Sequence, residues 1–176
     1  YLGYQYFRDG RRKWLSVAAR TSGWVLFGLV VVYFGGATIV RNYDWREPLR
    51  LYQHDVIYEP YSFLLHNNIG VELFRRGEIA GAKQAFSNAI QTAPGAGYGT
   101  AYNNLGVILE NEGKKTEALN HFRYSIEISS YELAYSNFAR MLIGDKKYDE
   151  AIEILLQGRD VHPNDLQIMY YLGAAY

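Results

Sequence analysis

The sequence predicts an all-α protein in which one transmembrane helix is followed by an α-solenoid of helix-turn-helix repeats. Twenty consecutive uncharged residues run from Thr21 to Val40, and the remainder of the chain repeats with a regular period. Residues 1–50 carry eight basic and three acidic side chains, a net charge of +5, which residues 51–176 balance at −5. A basic apolar end joined to an acidic end is typical of a membrane-proximal segment followed by a water-exposed domain.

The apolar stretch at residues 21–40 would form a helix about 30 Å long, the thickness of the hydrocarbon core of a bilayer. A buried core helix is the alternative, but such helices usually show a polar stripe. This stretch shows none apart from Ser22 and Thr38 near its ends. A secretory signal peptide would be shorter and would end at small residues, whereas Arg41 and Asn42 follow here. We therefore predict a transmembrane helix over residues 21–40.

The basic residues on the two sides of this helix predict its orientation. Five lie on the N-terminal side and three on the C-terminal side, namely Arg8, Arg11, Arg12, Lys13 and Arg20 against Arg41, Arg46 and Arg50. Basic residues are enriched on the cytoplasmic side of membrane helices. Residues 1–20 are thus expected in the cytoplasm, and everything after residue 40 in the periplasm, the exterior or a lumen.

A helical repeat follows the apolar helix, since three stretches align on the same framework of small, large and glycine residues. They are NNIGVELFRRGEIAGAKQAFSNAIQTAP, NNLGVILENEGKKTEALNHFRYSIEIS and SNFARMLIGDKKYDEAIEILLQGRDVHP. A fourth, IMYYLGAAY, begins the same pattern. The small residues of the first helices are spaced by 36, 33 and 34 residues, at Gly70, Gly106, Ala139 and Gly173. A period near 34 indicates two antiparallel helices in each repeat.

The other framework positions fit this packing. Small residues recur where helices cross, and large apolar residues recur where layers meet: Ala82, Ala118 and Ala151; Leu73, Leu109 and Leu142; Phe86, Phe122 and Leu155. Gly77 and Gly113 fit the turn between the two helices, and the third repeat lacks this glycine. Pro94 and Pro163 end their helices, because proline cannot continue one.

Residues 63–176 resemble the tetratricopeptide repeat family on these positions. The resemblance implies repeats at 63–96, 99–131 and 132–165 and a truncated repeat at 166–176. Residues 41–62 read as a linker and a capping half-repeat with an apolar face. Because the first residue is not Met and the last lies inside a helical pattern, we expect the chain to be an excerpt of a longer protein.

No catalytic, metal-binding or cofactor-binding constellation is predicted in this segment. The four histidines are scattered, cysteine is absent, and neither a phosphate-binding loop nor a nucleophile elbow is present in the sequence. Nucleic-acid binding is not predicted, because the basic run Arg11-Arg12-Lys13 reads better as a topological signal or a lipid contact.

Asparagine recurs two residues before the small residue of three first helices, at Asn68, Asn104 and Asn137, and Asn67 and Asn103 form a second column. An amide can donate to and accept from the backbone of an extended peptide whatever its sequence. The columns resemble those of tetratricopeptide arrays that hold peptides by their backbone, including the array of the O-GlcNAc transferase. We therefore predict peptide or partner-protein binding on the concave face, with Arg75 and Arg140 favouring acidic ligands. The alternative is that the asparagines bond to a neighbouring helix or to water.

The apolar helix, the sequence RNYDW at residues 41–45 and the repeats together resemble the junction in transmembrane-and-tetratricopeptide O-mannosyltransferase-like proteins. In that family a membrane glycosyltransferase of the GT-C type uses a lipid-linked sugar and carries extracytoplasmic repeats. The resemblance implies that this chain is the C-terminal part of such an enzyme, with the catalytic acids and the sugar site upstream. A non-enzymatic, membrane-anchored adaptor in envelope assembly or protein quality control is the alternative.

Overall fold

The structure is a computed structural model that describes residues 22–41, 47–95 and 98–176. Within those ranges the regular elements are all α-helices. The predicted cytoplasmic segment 1–20 and most of the junction sequence, residues 42–45, lie outside the described residues. The chain divides into two compact units, Tyr1–Glu47 and Pro48–Tyr176.

Helix α1 (Ser22–Arg41) and residue 47 are the described parts of the first unit. The mean hydropathy of the helix is 2.0, and its side chains are exposed along its whole length. Thr38 Oγ1 donates a 2.7 Å hydrogen bond to the carbonyl of Phe34, so this hydroxyl is satisfied within the helix itself. The helix is thus long and apolar enough to cross a bilayer.

In its described residues the second unit has eight helices, most of which form antiparallel pairs joined by short turns. They are α2 (Pro48–Tyr58), α3 (Phe63–Arg75), α4 (Ile79–Thr92), α5 (Gly99–Asn111), α6 (Lys115–Ser129), α7 (Glu132–Gly144), α8 (Tyr148–Val161) and α9 (Leu166–Ala175). The pairs α3/α4, α5/α6 and α7/α8 are stacked in chain order, with α2 against α3 and α9 against α7 and α8. The predicted all-α solenoid architecture is confirmed.

The turn inside each pair requires one residue with a positive φ. Gly77 and Gly113 supply it in the first two pairs, with φ of 78° and 76°. The third pair has Lys146 in the same register, with φ of 61°. The sequence shows the missing glycine, but only the structure shows that the third turn keeps the left-handed conformation without it.

The core is built from the small and large framework residues. Phe86, Phe122 and Leu155 are at most 1% exposed, and they lie against the first helix of their own pair. A Cβ atom on Gly70 would lie 2.5 Å from Cε1 of Phe86, and one on Gly106 would lie 2.6 Å from Cε1 of Phe122. These rings therefore occupy the space that a side chain on the glycine would need.

The first helices of successive pairs approach one another more closely than the second helices do. Contacts join α3 to α5, α5 to α7 and α7 to α9, whereas in the part of the chain that the structure describes no contacts join α4, α6 and α8. A stack in which one set of helices is closer together curves toward that set. We call the surface where α3, α5 and α7 meet the inner face.

Candidate functional site on the inner face

The asparagine columns bond to each other across the inner face. Asn104 on α5 donates through Nδ2 to Oδ1 of Asn67 on α3 at 3.1 Å. One repeat further, Asn137 on α7 donates to Oδ1 of Asn103 on α5 at 2.9 Å. In both cases the donor is the asparagine two residues before the small residue of its own helix. The acceptor is the asparagine three residues before the small residue of the preceding first helix. The regular spacing in the sequence thus produces a regular amide ladder between helices.

The five asparagines therefore occupy three different environments. Asn67 and Asn103 are buried, at 6% and 3% exposed, and their carbonyl oxygens accept the ladder bonds. Asn104 and Asn137 are half-buried and donate those bonds. Asn68 lies in the first repeat, is half-buried, and has no hydrogen bond to another described residue. Its amide thus differs from those of the other four asparagines, which take part in the ladder.

The ladder stops at the next seam, where Ser136 on α7 stands in the register of Asn67 and Asn103. Ser136 is 2% exposed, and its Oγ has no hydrogen-bond partner among the described residues. The residue in the register of the donating asparagines is Tyr171 on α9, which is half-buried. The amide pairing thus joins the first three layers and not the fourth.

The two arginines predicted for the site differ in their availability. Arg140 on α7 forms a two-pronged pair with Glu110 on α5, with Nη1–Oε1 and Nη2–Oε2 distances of 2.7 and 2.6 Å. This hydrogen bonding raises the pKa of Arg140 and neutralises its charge locally. Arg75 pairs with Glu72 one turn away at 3.2 Å, and its side chain remains 72% exposed. Of the two, Arg75 is the more exposed cation, because the Arg140 side chain is 40% exposed.

Apolar side chains complete the inner face, and the sequence analysis missed them. Val71 follows the small residue of α3 just as Arg140 follows the small residue of α7. Leu64 lies two helical turns before Val71 on α3. Leu133 is the counterpart of Leu64 on α7. All three expose more than a third of their surface although they are apolar: Leu64 52%, Val71 36% and Leu133 37%. The seven-residue spacing of Leu64 and Val71, and the leucine that recurs in the register of Leu64 at position 133, are the signals that could have found them.

Two further polar groupings lie away from the inner face. His121 on α6 lies 5.8 Å from the ring of Tyr102, and burial lowers its pKa although Glu117 opposes this. Glu112 accepts from Lys114 and Lys83, and these bonds lower its pKa. Across the described ranges, no three His, Cys, Asp or Glu residues are grouped so that they could hold a metal ion.

One helix pair of this chain matches a known repeat family. Residues 99–129, which comprise α5 and α6, match the family model of the tetratricopeptide repeat. The chain contains tetratricopeptide repeats. The predicted family resemblance is therefore confirmed.

A curated relative is similar to part of this chain. Protein O-mannosyl-transferase Tmtc3 of Drosophila melanogaster is 38% identical over 63 residues. The match covers 35% of this chain and 7% of the relative, so the chain spans a small fraction of that protein's length.

Solved structures share the fold at low sequence identity. MamA superposes with a TM-score of 0.59 at 18% identity, covering 80% of this chain and 82% of MamA. Cut9 in its complex with Hcn1 gives 0.58 at 20% identity, covering 70% of this chain and 25% of that one. Pseudomonas aeruginosa pilF gives 0.56 at 21% identity, covering 65% and 52%. These similarities establish the solenoid fold.

Proposed function

We propose that the inner face binds an extended segment of a partner protein, and that the array is the extracytoplasmic, C-terminal part of a GT-C-type membrane glycosyltransferase. The amide ladder is the observation that carries the binding proposal. It sets amide groups once per repeat along the inner face, and amides can both donate to and accept from a peptide backbone.

The buried asparagines hold the binding asparagines in position. Asn104 and Asn137 each use one N–H on Asn67 or Asn103, which leaves the second N–H of the same amide for a ligand. An amide whose rotamer is already fixed loses less side-chain entropy when it binds. Asn67 and Asn103 are therefore positioning residues, and the contacts to the peptide backbone come from Asn68, Asn104 and Asn137.

The neighbouring side chains favour a peptide with apolar residues and an acidic group. Leu64, Val71 and Leu133 offer apolar surface beside the ladder, which a peptide would remove from water. The exposed guanidinium of Arg75 provides a cation at the C-terminal end of α3. Arg140 contributes through its pair with Glu110, which links α7 to α5 and keeps the ladder in register.

Two observations support the membrane-enzyme part of the proposal. Helix α1 has the length and hydropathy of a membrane span, and six residues separate it from α2. A protein O-mannosyl-transferase, Tmtc3 of Drosophila melanogaster, is 38% identical to this chain over 63 residues. We propose that the array presents an acceptor protein to a catalytic region elsewhere in the parent protein, where a lipid-linked sugar would bind.

The binding proposal is tested with a peptide that is selected from a random-sequence library for binding to the full chain. Asn68→Ala should weaken its affinity about tenfold, the equivalent of about 1.4 kcal/mol, without moving the melting temperature, since Asn68 bonds to no other described residue. Asn120→Ala is the matched control, because Asn120 is exposed on α6, a second helix. Equal affinity of the two variants would contradict the proposal.

Extending the reading frame upstream of Tyr1 tests the parentage. Several hydrophobic spans with an acidic loop would agree with a membrane glycosyltransferase. A start codon just before Tyr1 would contradict it and leave a single-span adaptor.

A further inference from the structure

The surface of α2 that faces away from the repeats is an amphipathic stripe. Leu49 is buried on the opposite side, where Tyr52 and Val56 also pack on the core of the first repeat. The exposed positions recur every three or four residues, as one face of a helix does. They are Arg50, Gln53, His54, Ile57, Tyr58 and, just after the helix, Tyr61. We call this set the cap surface.

The C-terminal half of the cap surface is apolar and open. Ile57 is 72% exposed, Tyr58 74% and Tyr61 82%. Three large side chains with apolar surface that lie close together in sequence and are this accessible are unusual for a surface that faces only water, and such patches mark interaction sites.

The chemistry of the cap surface fits the headgroup region of a bilayer. Tyrosine rings are apolar while their hydroxyls stay hydrated, and for that reason they are enriched where lipid meets water. The positions of the stripe within α2 carry Arg50 and His54 and no acid. Three acids adjoin it: Glu47 is exposed just before the helix, Asp55 is paired with His54 at 3.1 Å, and Glu59 is exposed off the stripe.

The sequence ties this surface to the candidate membrane span. Six residues, 42–47, separate α1 from α2, and six residues extend over at most about 20 Å. We propose that the cap surface docks on the headgroup region of the membrane that α1 spans, with Ile57, Tyr58 and Tyr61 inserted among the lipids. This inference rests on the proposed span and assigns the capping helix a function besides closing the repeat stack.

Docking would hold the first repeat against the membrane. The open amide of Asn68 and the exposed Leu64 lie in the helix that follows Tyr61, so the start of the inner face would be kept near the lipid surface. A peptide bound there would be presented close to the bilayer, which is where a lipid-linked donor must react.

The absence of cysteine makes a direct test simple. The full chain is reconstituted in vesicles of phosphatidylcholine and phosphatidylserine with one cysteine that carries an environment-sensitive fluorophore. Nitroxide-labelled lipids then quench the probe from the headgroup or from the bilayer centre. Three variants suffice: Tyr61→Cys on the cap surface, Val31→Cys in α1, and Tyr124→Cys on α6 as the matched exposed tyrosine, 51% exposed.

We expect the probe at residue 61 to be quenched by headgroup nitroxides, the probe at 31 by nitroxides at the bilayer centre, and the probe at 124 by neither. Quenching at 31 with residue 61 behaving like residue 124 would overturn the docking and leave the span intact. No quenching at 31 would overturn the span and the docking together. A blue-shifted probe at 61 that no nitroxide quenches would indicate a protein contact and would also overturn the proposal.

Discussion

The first two repeats and the third build the same layers with different residues. In the first two, a glycine on the first helix faces a phenylalanine on the second, whereas the third combines Ala139 with Leu155. The third also replaces the turn glycine with Lys146 and the ladder asparagine with Ser136. The difference teaches that a helix crossing depends on the summed size of the two partners. It also shows that the backbone of the turn is kept even where its residue is unfavourable.

The largest effect should come from mixing the two packing solutions. Gly106→Ala places a methyl group 2.6 Å from the ring of Phe122, and overpacking of this kind costs about 1–3 kcal/mol. Adding Phe122→Leu reproduces the combination in the third repeat and should recover much of that loss. Urea denaturation of both single variants and the double variant gives the coupling free energy.

The matched control for this cycle is Gly173→Ala on α9. A Cβ there would meet nothing within 4 Å, so the change should be neutral or stabilising by about 0.5–1 kcal/mol, as expected for Gly to Ala inside a helix. Additive costs in the Gly106/Phe122 cycle would show that the crossing does not depend on summed size.

The amide ladder allows a second comparison between repeats. Asn103→Ala should destabilise the chain by about 1–2 kcal/mol, because it removes the buried acceptor of the Asn137 amide. Ser136→Ala, in the same register of the next repeat, should be neutral or stabilising because its buried hydroxyl has no partner among the described residues. Thermal melts of the two variants compare them directly. A larger loss for Ser136→Ala would mean that the ladder does not stabilise the stack.

The turns offer a smaller effect. Lys146→Gly should stabilise the chain by about 0.5–1 kcal/mol, since a glycine adopts the φ of 61° without the strain that a side chain brings. Gly113→Lys, the reverse exchange in the second repeat, should destabilise by a similar amount. Denaturant midpoints measure both changes. A Lys146→Gly variant less stable than the parent would show that the lysine side chain stabilises this turn.

The smallest effect concerns acid sensitivity in the second repeat. His121 stands where the first and third repeats have Ala85 and Ile154, and burial lowers its pKa below the ordinary value. The unfolded chain then binds the proton more readily, so this residue reduces stability as the pH falls below about 6.5. His121→Ile should make the melting temperature less dependent on pH between neutral and about pH 5. An unchanged pH dependence of the melting temperature would exclude His121 as a source of the acid sensitivity.

Most of the fold could be predicted from the sequence, because each framework position is set by local packing. Gly70 and Phe86 lie in the two helices of one pair, and the Phe86 ring occupies the space that a side chain at position 70 would need. This contact depends only on the packing within that pair. The apolar composition of residues 21–40 likewise depends on no other part of the chain.

The site could be predicted only in part, because its contacts cross between repeats. Asn137 reaches Asn103 and Arg140 reaches Glu110 only when the first helices of neighbouring repeats approach closely, which depends on how the helix pairs stack. The sequence showed which amides recur, but not that two of the five are buried and used by the fold. Binding by the remaining asparagines stays a prediction.

Site-specific photo-cross-linking of the selected peptide tests the central claim most directly. A benzoylphenylalanine at Val71, on the inner face, is compared with the same group at Tyr124 on α6. The account predicts that the peptide is cross-linked from position 71 and not from position 124, and that Asn68→Ala reduces the yield. Cross-linking from position 124 alone would contradict the claim that the inner face is the binding surface.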